Sequence, residues 1–151
     1  MKVGIIGLEP MGEGMSRRLI DNGIEVWGYR DDYAKANAQY DAGYISGCTT
    51  SIEVLAQVVH SNKTTGTTPG VFMLVVPSSK IEKTLDNLIE HCVDGDIIID
   101  YSDSSPEDCM ERQQYCTKLG VSYLFSGVYG ASYAVASCSR IFQSLSPGNF
   151  K

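Results

Sequence analysis

The chain has 151 residues, 43% hydrophobic and 20% charged, with a formal net charge of −6 and a pI near 4.8. That is one domain's length and an ordinary globular composition, and the acidic balance argues against nucleic acid or an anionic membrane as a partner. No apolar stretch approaches membrane-spanning length, and the N-terminus has no signal-peptide pattern, so the expected location is cytoplasmic. The cysteines, Cys48, Cys92, Cys109, Cys116 and Cys138, are odd in number and have no C-x-x-C spacing. Reduced thiols in a reducing compartment are expected, with neither a zinc site nor a redox motif. His60 and His91 have no neighbouring carboxylate or thiol pattern, so both are read as structural and no metal site is expected.

The first element is a short apolar strand, Val3–Ile6, broken at Gly7. A helical face follows, with apolar residues at Met11, Met15, Leu19 and Ile20, stopped by Asn22-Gly23. Ile24–Tyr29 reads as a second strand, Asp31–Tyr40 as a polar helix and Tyr44-Ile45 as a short strand. Ser51–Val59 is a helix capped by Thr50 or Ser51, and the HSNKTTGTTPG stretch is a surface loop. Val71–Val76 is a continuous apolar strand ended by Pro77, Ser79–Cys92 a helix and Ile97–Ile99 another buried strand. Ser104 or Ser105 caps a helix opened by Pro106 and ended at Gly120, before a last strand at Val121–Phe125. Alternation of this kind predicts one α/β domain over 1–151, Rossmann-like, with a doubly wound, mostly parallel sheet.

In such a fold the ligand crevice lies beyond the carboxyl ends of the strands. After the first strand the G-x-G-x-x-G spacing reads Gly7-Leu8-Glu9-Pro10-Met11-Gly12, with Glu9 in place of the glycine that lets backbone approach a pyrophosphate. Two like charges about 4 Å apart repel by roughly 4 kcal/mol at an effective dielectric of about 20, which would offset most of what a helix N-terminus offers a phosphate. Glu9 before Pro10 equally suits a helix start, its carboxylate favoured by the helix dipole and filling the anion site itself. After the second strand come Arg30, Asp31 and Asp32. Arg30 stands first and favours a 2′-phosphate, hence NADP, whereas either aspartate would serve the ribose hydroxyl of NAD. Hydroxyls and glycines recur after the later strands, at Ser78-Ser79, Ser102–Ser104 and Ser126-Gly127. They suit both a ligand crevice and helix caps.

Taken together these stretches resemble the N-terminal domain of decarboxylating 6-phosphogluconate dehydrogenases, of the β-hydroxyacid dehydrogenase family. The opening MKVGIIGLEPMGEGMSRRLIDNGIEVWGYR is similar to that family's first strand, G-L-G-x-M-G turn and helix. VFMLVVPSS is similar to its L-M-V-P-A-G strand, GDIIIDYSDS to its G-D-I-I-I-D-G-G-N-S stretch, and LFSGVYGA to its S-G-G-x-x-G-A loop. IFQSLSP resembles the helix that closes the nucleotide-binding domain.

The resemblance implies a nicotinamide dinucleotide, NADP with NAD as the alternative, bound at Gly7, Leu8, Met11 and Gly12. It places Arg30 by the adenosine ribose, Val76 and Pro77 on the nicotinamide side, and Asp103, Ser126 and Gly127 by a sugar phosphate. It also implies the chemistry of the pentose phosphate pathway and gluconate utilization. The family's lysine base and glutamate acid come from a following helical domain. No catalytic residue is therefore expected within these 151 residues, and the isolated chain is expected to be inactive. The departures fall on the implied site. Glu9 replaces a glycine, Tyr101 and Ser102 replace a Gly-Gly pair and add bulk beside the nicotinamide, and Asp103 brings negative charge to a site for an anionic substrate. Weakened cofactor binding is expected. An alternative is a non-catalytic interaction or regulatory protein that keeps the fold and associates with itself or with a full-length dehydrogenase.

Overall fold

Strands and helices alternate without interruption through the described residues. The computed structural model describes residues 1–61 and 68–126. Their order is β1 (Lys2–Ile6), α1 (Pro10–Asp21), β2 (Glu25–Tyr29), α2 (Tyr33–Asp41), β3 (Gly47–Thr49) and α3 (Ile52–His60), then β4 (Val71–Leu74), α4 (Ser78–Ile89), β5 (Ile97–Asp100), α5 (Pro106–Lys118) and β6 (Ser122–Phe125). The strands form one sheet in the order β3-β2-β1-β4-β5-β6, every pair parallel. That is the doubly wound order, reversing between β1 and β4, and it is the expected Rossmann-like α/β fold.

The continuous apolar runs of β4 and β5 follow from burial on both faces. Val71, Met73, Ile97 and Ile99 point to one face with Val3, Ile5 and Val26, packing against Met15 and Leu19 of α1. Ile6, Phe72, Leu74 and Ile98 point to the other, packing against α3, Ile81, Leu85 and Leu88 of α4, and Cys116 of α5. Burial raises the Cys116 thiol to about 11, so it is an inert core group at neutral pH. Among the described residues no helix is long and apolar enough to cross a membrane.

The start of the sheet is fastened by Asp96, which is fully buried. Its carboxylate accepts bonds from Gly70 N at 2.9 Å and Val93 N at 2.8 Å, and pairs with His60 Nε2 at 2.8 Å. His60 therefore does have a carboxylate neighbour, 36 residues away in the chain, and its place in the fold is structural.

Helix caps follow the sequence expectation closely. Ser51 and Ser105 are the N-caps of α3 and α5, accepting from Val54 N and Asp108 N. One strand is corrected. Tyr44-Ile45 is not extended pairing; the third strand begins two residues later, at Gly47. Tyr44 belongs to the exit of α2, its N–H bonded to Gln39 O at 2.9 Å and its ring stacked under the Arg17 guanidinium at 4.4 Å. The strand begins at Gly47 because the chain there crosses the face of the Trp27 indole, leaving no room for a Cβ. Gly127, the 133–147 stretch and the 62–67 part of the polar loop lie outside the described residues.

Candidate functional site

At the reversal between β1 and β4, three turns meet above the carboxyl ends of the strands. These are 7–12 after β1, 75–78 after β4 and 101–104 after β5. Ladder bonds continue just past the strands, Val75 N to Ile6 O at 2.8 Å and Tyr101 N to Leu74 O at 2.9 Å, so the turns start in register.

The first turn is built on glycine sterics. Gly7 has a φ of +100°, and a Cβ on it would collide with Val75 O; a Cβ on Gly12 would collide with Gly7 O. The chain thus leaves the sheet abruptly and enters α1 at once. Pro10 occupies the first helical position, and the N–H groups of Met11 and Gly12 have no acceptor within the helix. Leu8 is buried against Gly28 and Ile45, while Glu9 and Pro10 face solvent.

Glu9 is the N-cap residue of α1, yet its side chain makes no capping bond. It turns instead to Arg30, with Oε1 2.8 Å from Nη2. Arg30 also donates through Nη1 to Leu8 O at 3.3 Å, and that carbonyl accepts a second bond, 2.8 Å from Gln39 Nε2. The arrangement brings Arg30 to the turn and draws the Glu9 side chain away from the helix start. The two aspartates after Arg30 are also engaged. Asp31 accepts from Tyr29 OH at 2.6 Å, and burial, then this bond, pushes the Tyr29 hydroxyl up to about 12. Asp32 caps α2, and the Lys35 N–H holds its carboxyl below the ordinary range.

Val76 is half-buried and Pro77 exposed at the end of β4, where Pro77 is the N-cap of α4. It offers no capping side chain. Asp103 supplies one from across the crevice, accepting from Ser78 N at 3.1 Å, and this bond holds its carboxyl below the usual range. A depressed carboxylate stabilises the fold above its unfolded pKa of about 3.9 and loses that effect as pH falls through its folded value. Asp103→Ala is therefore expected to melt below the parent at neutral pH, with the gap closing at acidic pH as Asp103 is protonated. Thermal melts over pH 2–7, read by circular dichroism, measure it.

Tyr101 and Ser102 do not crowd the crevice. Tyr101 is 1% exposed and packs in the core on the α1 side, and Ser102 is 2% exposed. The bulk that replaces the Gly-Gly pair is taken up by the interior, which corrects the expectation of bulk beside a nicotinamide. Ser126 N bonds to Asp100 O at 2.9 Å, which carries the chain one residue past β6 at the same end of the sheet.

Beneath these turns lies a buried polar network that sequence reading missed. Asp100, fully buried, accepts from Tyr123 OH and, at 2.7 Å, from Ser102 N, with Arg112 Nη1 at 3.6 Å. Arg112 bonds Ser104 Oγ at 2.7 Å and Glu82 Oε1 at 2.6 Å, and Ser104 Oγ lies 2.6 Å from Ser102 Oγ. Burial, then the bond to Asp100, pushes the Tyr123 hydroxyl up, so it stays a donor. The available signal was a carboxylate closing a run of three isoleucines. Among the described residues no group of three or more metal-ligating side chains could hold an ion.

A positive-φ glycine, a second glycine pressed on it, bare N–H groups at a helix start and an arginine alongside fit a dinucleotide phosphate and ribose. The 6-phosphogluconate dehydrogenase, decarboxylating, of Cunninghamella elegans is 28% identical over 152 residues, covering 97% of this chain and 29% of the relative. 6-Phosphogluconate dehydrogenase, decarboxylating 2, of Saccharomyces cerevisiae is 26% identical over 150 residues, covering 97% and 28%. The chain thus spans less than a third of the length of these relatives. The crystal structure of 3-hydroxyisobutyrate dehydrogenase (ygbJ) from Salmonella typhimurium superposes with a TM-score of 0.69 at 25% identity, covering 91% of this chain and 45% of that one. The family described as the NAD binding domain of 6-phosphogluconate dehydrogenase matches residues 2–144, and the chain belongs to that family.

Proposed function

We propose that this chain is the cofactor-binding domain of a 6-phosphogluconate dehydrogenase-like oxidoreductase, binding a nicotinamide dinucleotide weakly. The observation that carries the reading is the Gly7–Gly12 turn, with Glu9 swung onto Arg30 and the α1 N-terminus left open. Gly7, Leu8, Pro10, Met11 and Gly12 cradle the phosphates, Arg30 and Glu9 stand by the adenosine ribose, and Val76 and Pro77 flank the nicotinamide, which would accept the hydride. Asp103 and Ser126 stand on the substrate side, for a sugar phosphate; Gly127 is assigned there with them. Of the two cofactor forms, Arg30 taken by itself favours NADP, and its pairing with Glu9 alters that choice.

The 151 residues bind without turnover in this reading. The turns at 7–12, 75–78 and 101–104 contain no lysine or histidine, and the acids on them and at the end of β5 are engaged: Asp100 in the buried network, Asp103 on α4 and Glu9 on Arg30. The cytoplasm, where thiols stay reduced, is the compartment that suits it.

Calorimetric titration with NADH and NADPH tests the reading. Saturable binding in the micromolar to millimolar range is expected, with no oxidation of 6-phosphogluconate. An absence of binding at millimolar cofactor, or measurable turnover by the purified chain, overturns it.

A second reading is favoured by Met110 of α5 with Leu124 and Phe125 of β6, exposed apolar side chains that line one cavity. Such a surface suits association with a second copy or a full-length dehydrogenase. Size-exclusion of the chain, alone and mixed with such an enzyme, separates the two: an unshifted monomer speaks against association.

A further inference from the structure

We propose that Glu9 is the ribose-binding acid of this site, its carboxylate accepting the 2′-hydroxyl of the adenosine ribose, so that the chain selects a dinucleotide without a 2′-phosphate. The inference rests on the dinucleotide reading above and assigns its specificity.

In doubly wound folds an acid near the end of β2 holds the ribose hydroxyl, or an arginine there accepts a phosphate on it. Here the arginine is present but occupied. Arg30 Nη2 lies 2.8 Å from Glu9 Oε1 and Nη1 lies 3.3 Å from Leu8 O, so each terminal nitrogen already gives one of its two N–H groups to the chain. The exposures of the pair are unequal. Arg30's side chain is 17% exposed and Glu9's 69%, which puts the carboxylate, not the guanidinium, on the surface that a ligand meets. Among the described residues Glu9 Oε2 has no hydrogen-bond partner, leaving one oxygen to receive a hydroxyl.

The acids that sequence spacing offers for this task each hold a partner of their own through Oδ1. Asp31 accepts the Tyr29 hydroxyl, and Asp32 caps α2. Glu9 brings a further carboxylate to the end of β2 from the first turn, and this one is fixed on Arg30 at 2.8 Å. Arg30 acts through Glu9 as a positioning residue. A 2′-phosphate reaching for Arg30 would meet Glu9 first, and would have to displace it while lying beside its charge. A ribose hydroxyl donates to that same carboxylate without disturbing the pair.

The test is titration of NADH and NADPH against the full chain, Glu9→Gln and Glu9→Gly, with melting curves confirming that each variant folds. Glu9 is exposed and makes no capping bond, so its replacement leaves the fold in place. The parent chain is expected to bind NADH at least about tenfold more tightly than NADPH. Glu9→Gln is expected to bind NADPH more tightly and NADH a few-fold more weakly, so that most of the preference disappears. Preference of the parent for NADPH overturns the inference, as does an equal change for both cofactors in Glu9→Gln. A gain for both cofactors alike in Glu9→Gly also overturns it, because Glu9 would then merely repel the shared pyrophosphate, and the dinucleotide reading would stand. Failure of the parent and both variants to bind either cofactor overturns the inference and the dinucleotide reading together.

Discussion

Replacing Asp100 with alanine is expected to cost the fold about 3–5 kcal/mol, because it strands a buried charge rather than merely deleting a contact. Arg112 is 6% exposed, and its guanidinium faces Asp100 Oδ2 at 3.6 Å, Ser104 Oγ at 2.7 Å and Glu82 Oε1 at 2.6 Å. Glu82 is 69% exposed on its side chain, so its charge is largely screened and cannot replace a buried carboxylate. Without Asp100 the Tyr123 hydroxyl and the Ser102 N–H also lose their acceptor inside the protein. For a domain of this size the loss corresponds to a fall in melting temperature of about 10 °C. Tyr123→Phe removes only one neutral donor and leaves the charge pair, so a smaller loss, about 1–2 kcal/mol, is expected. Urea unfolding followed by circular dichroism checks both. Equal losses in the two variants would show that the Asp100–Arg112 attraction carries no weight. A loss under about 1 kcal/mol for Asp100→Ala would mean that the network can hydrate.

That network also marks how far the sequence could be read. The alternation of strands and helices is a local property, written in the spacing of Met11, Met15 and Leu19 and in the isoleucine run before Asp100. It predicted the parallel sheet, and the caps at Ser51 and Ser105 were legible because a cap acts within three residues. Partners remote in sequence left no such trace. Tyr123 reaches Asp100 from 23 residues away, Asp103 reaches Ser78 from 25 and Arg30 reaches Glu9 from 21. Tyr44 read as a strand residue because its aromatic ring suits one, until Arg17 and the exit of α2 claimed it.

The same limit shaped the reading of the site. Glu9 and Asp103 were legible as two negative charges in a crevice expected to bind anions. Their directions were not. Both turn onto groups that would otherwise receive an anion, Glu9 onto the Arg30 guanidinium and Asp103 onto the first N–H of α4. Their charge is thus partly neutralised by partners within the fold, and the crevice presents a different face to a ligand than the bare sequence suggests. Among the described residues no side chain caps the α1 N-terminus, which favours dinucleotide binding; the α4 N-terminus is filled, which disfavours a second anion there.

The turn that keeps α1 open has little tolerance, and Gly7→Ala is expected to show it. Gly7 sits at a φ of +100°, and a Cβ there would meet Val75 O, a backbone atom that cannot rotate aside. The left-handed penalty of about 1–2 kcal/mol adds to an overpacking cost of about 1–3 kcal/mol. Gly12→Ala has an ordinary helical backbone and meets only the second cost, its Cβ pressed on Gly7 O. In each case the strain is relieved only by moving the turn away from the sheet or from α1, and either movement displaces the N–H groups at the start of α1, where the proposed reading puts the phosphates. Both variants are therefore expected to lose at least about tenfold in NADH affinity besides their stability. Because a Cβ on Gly12 would press on the Gly7 carbonyl, both substitutions strain one turn, and a shift that the first imposes changes the cost of the second. The double variant is expected to lose less than the sum of the single losses, by roughly 0.5–3 kcal/mol. Strict additivity in a double-mutant cycle would mean that the glycines serve separate constraints. A Gly12→Ala chain that melts with the parent and binds NADH equally well would show that the turn yields without cost, and that the crevice owes its shape to something other than these two residues.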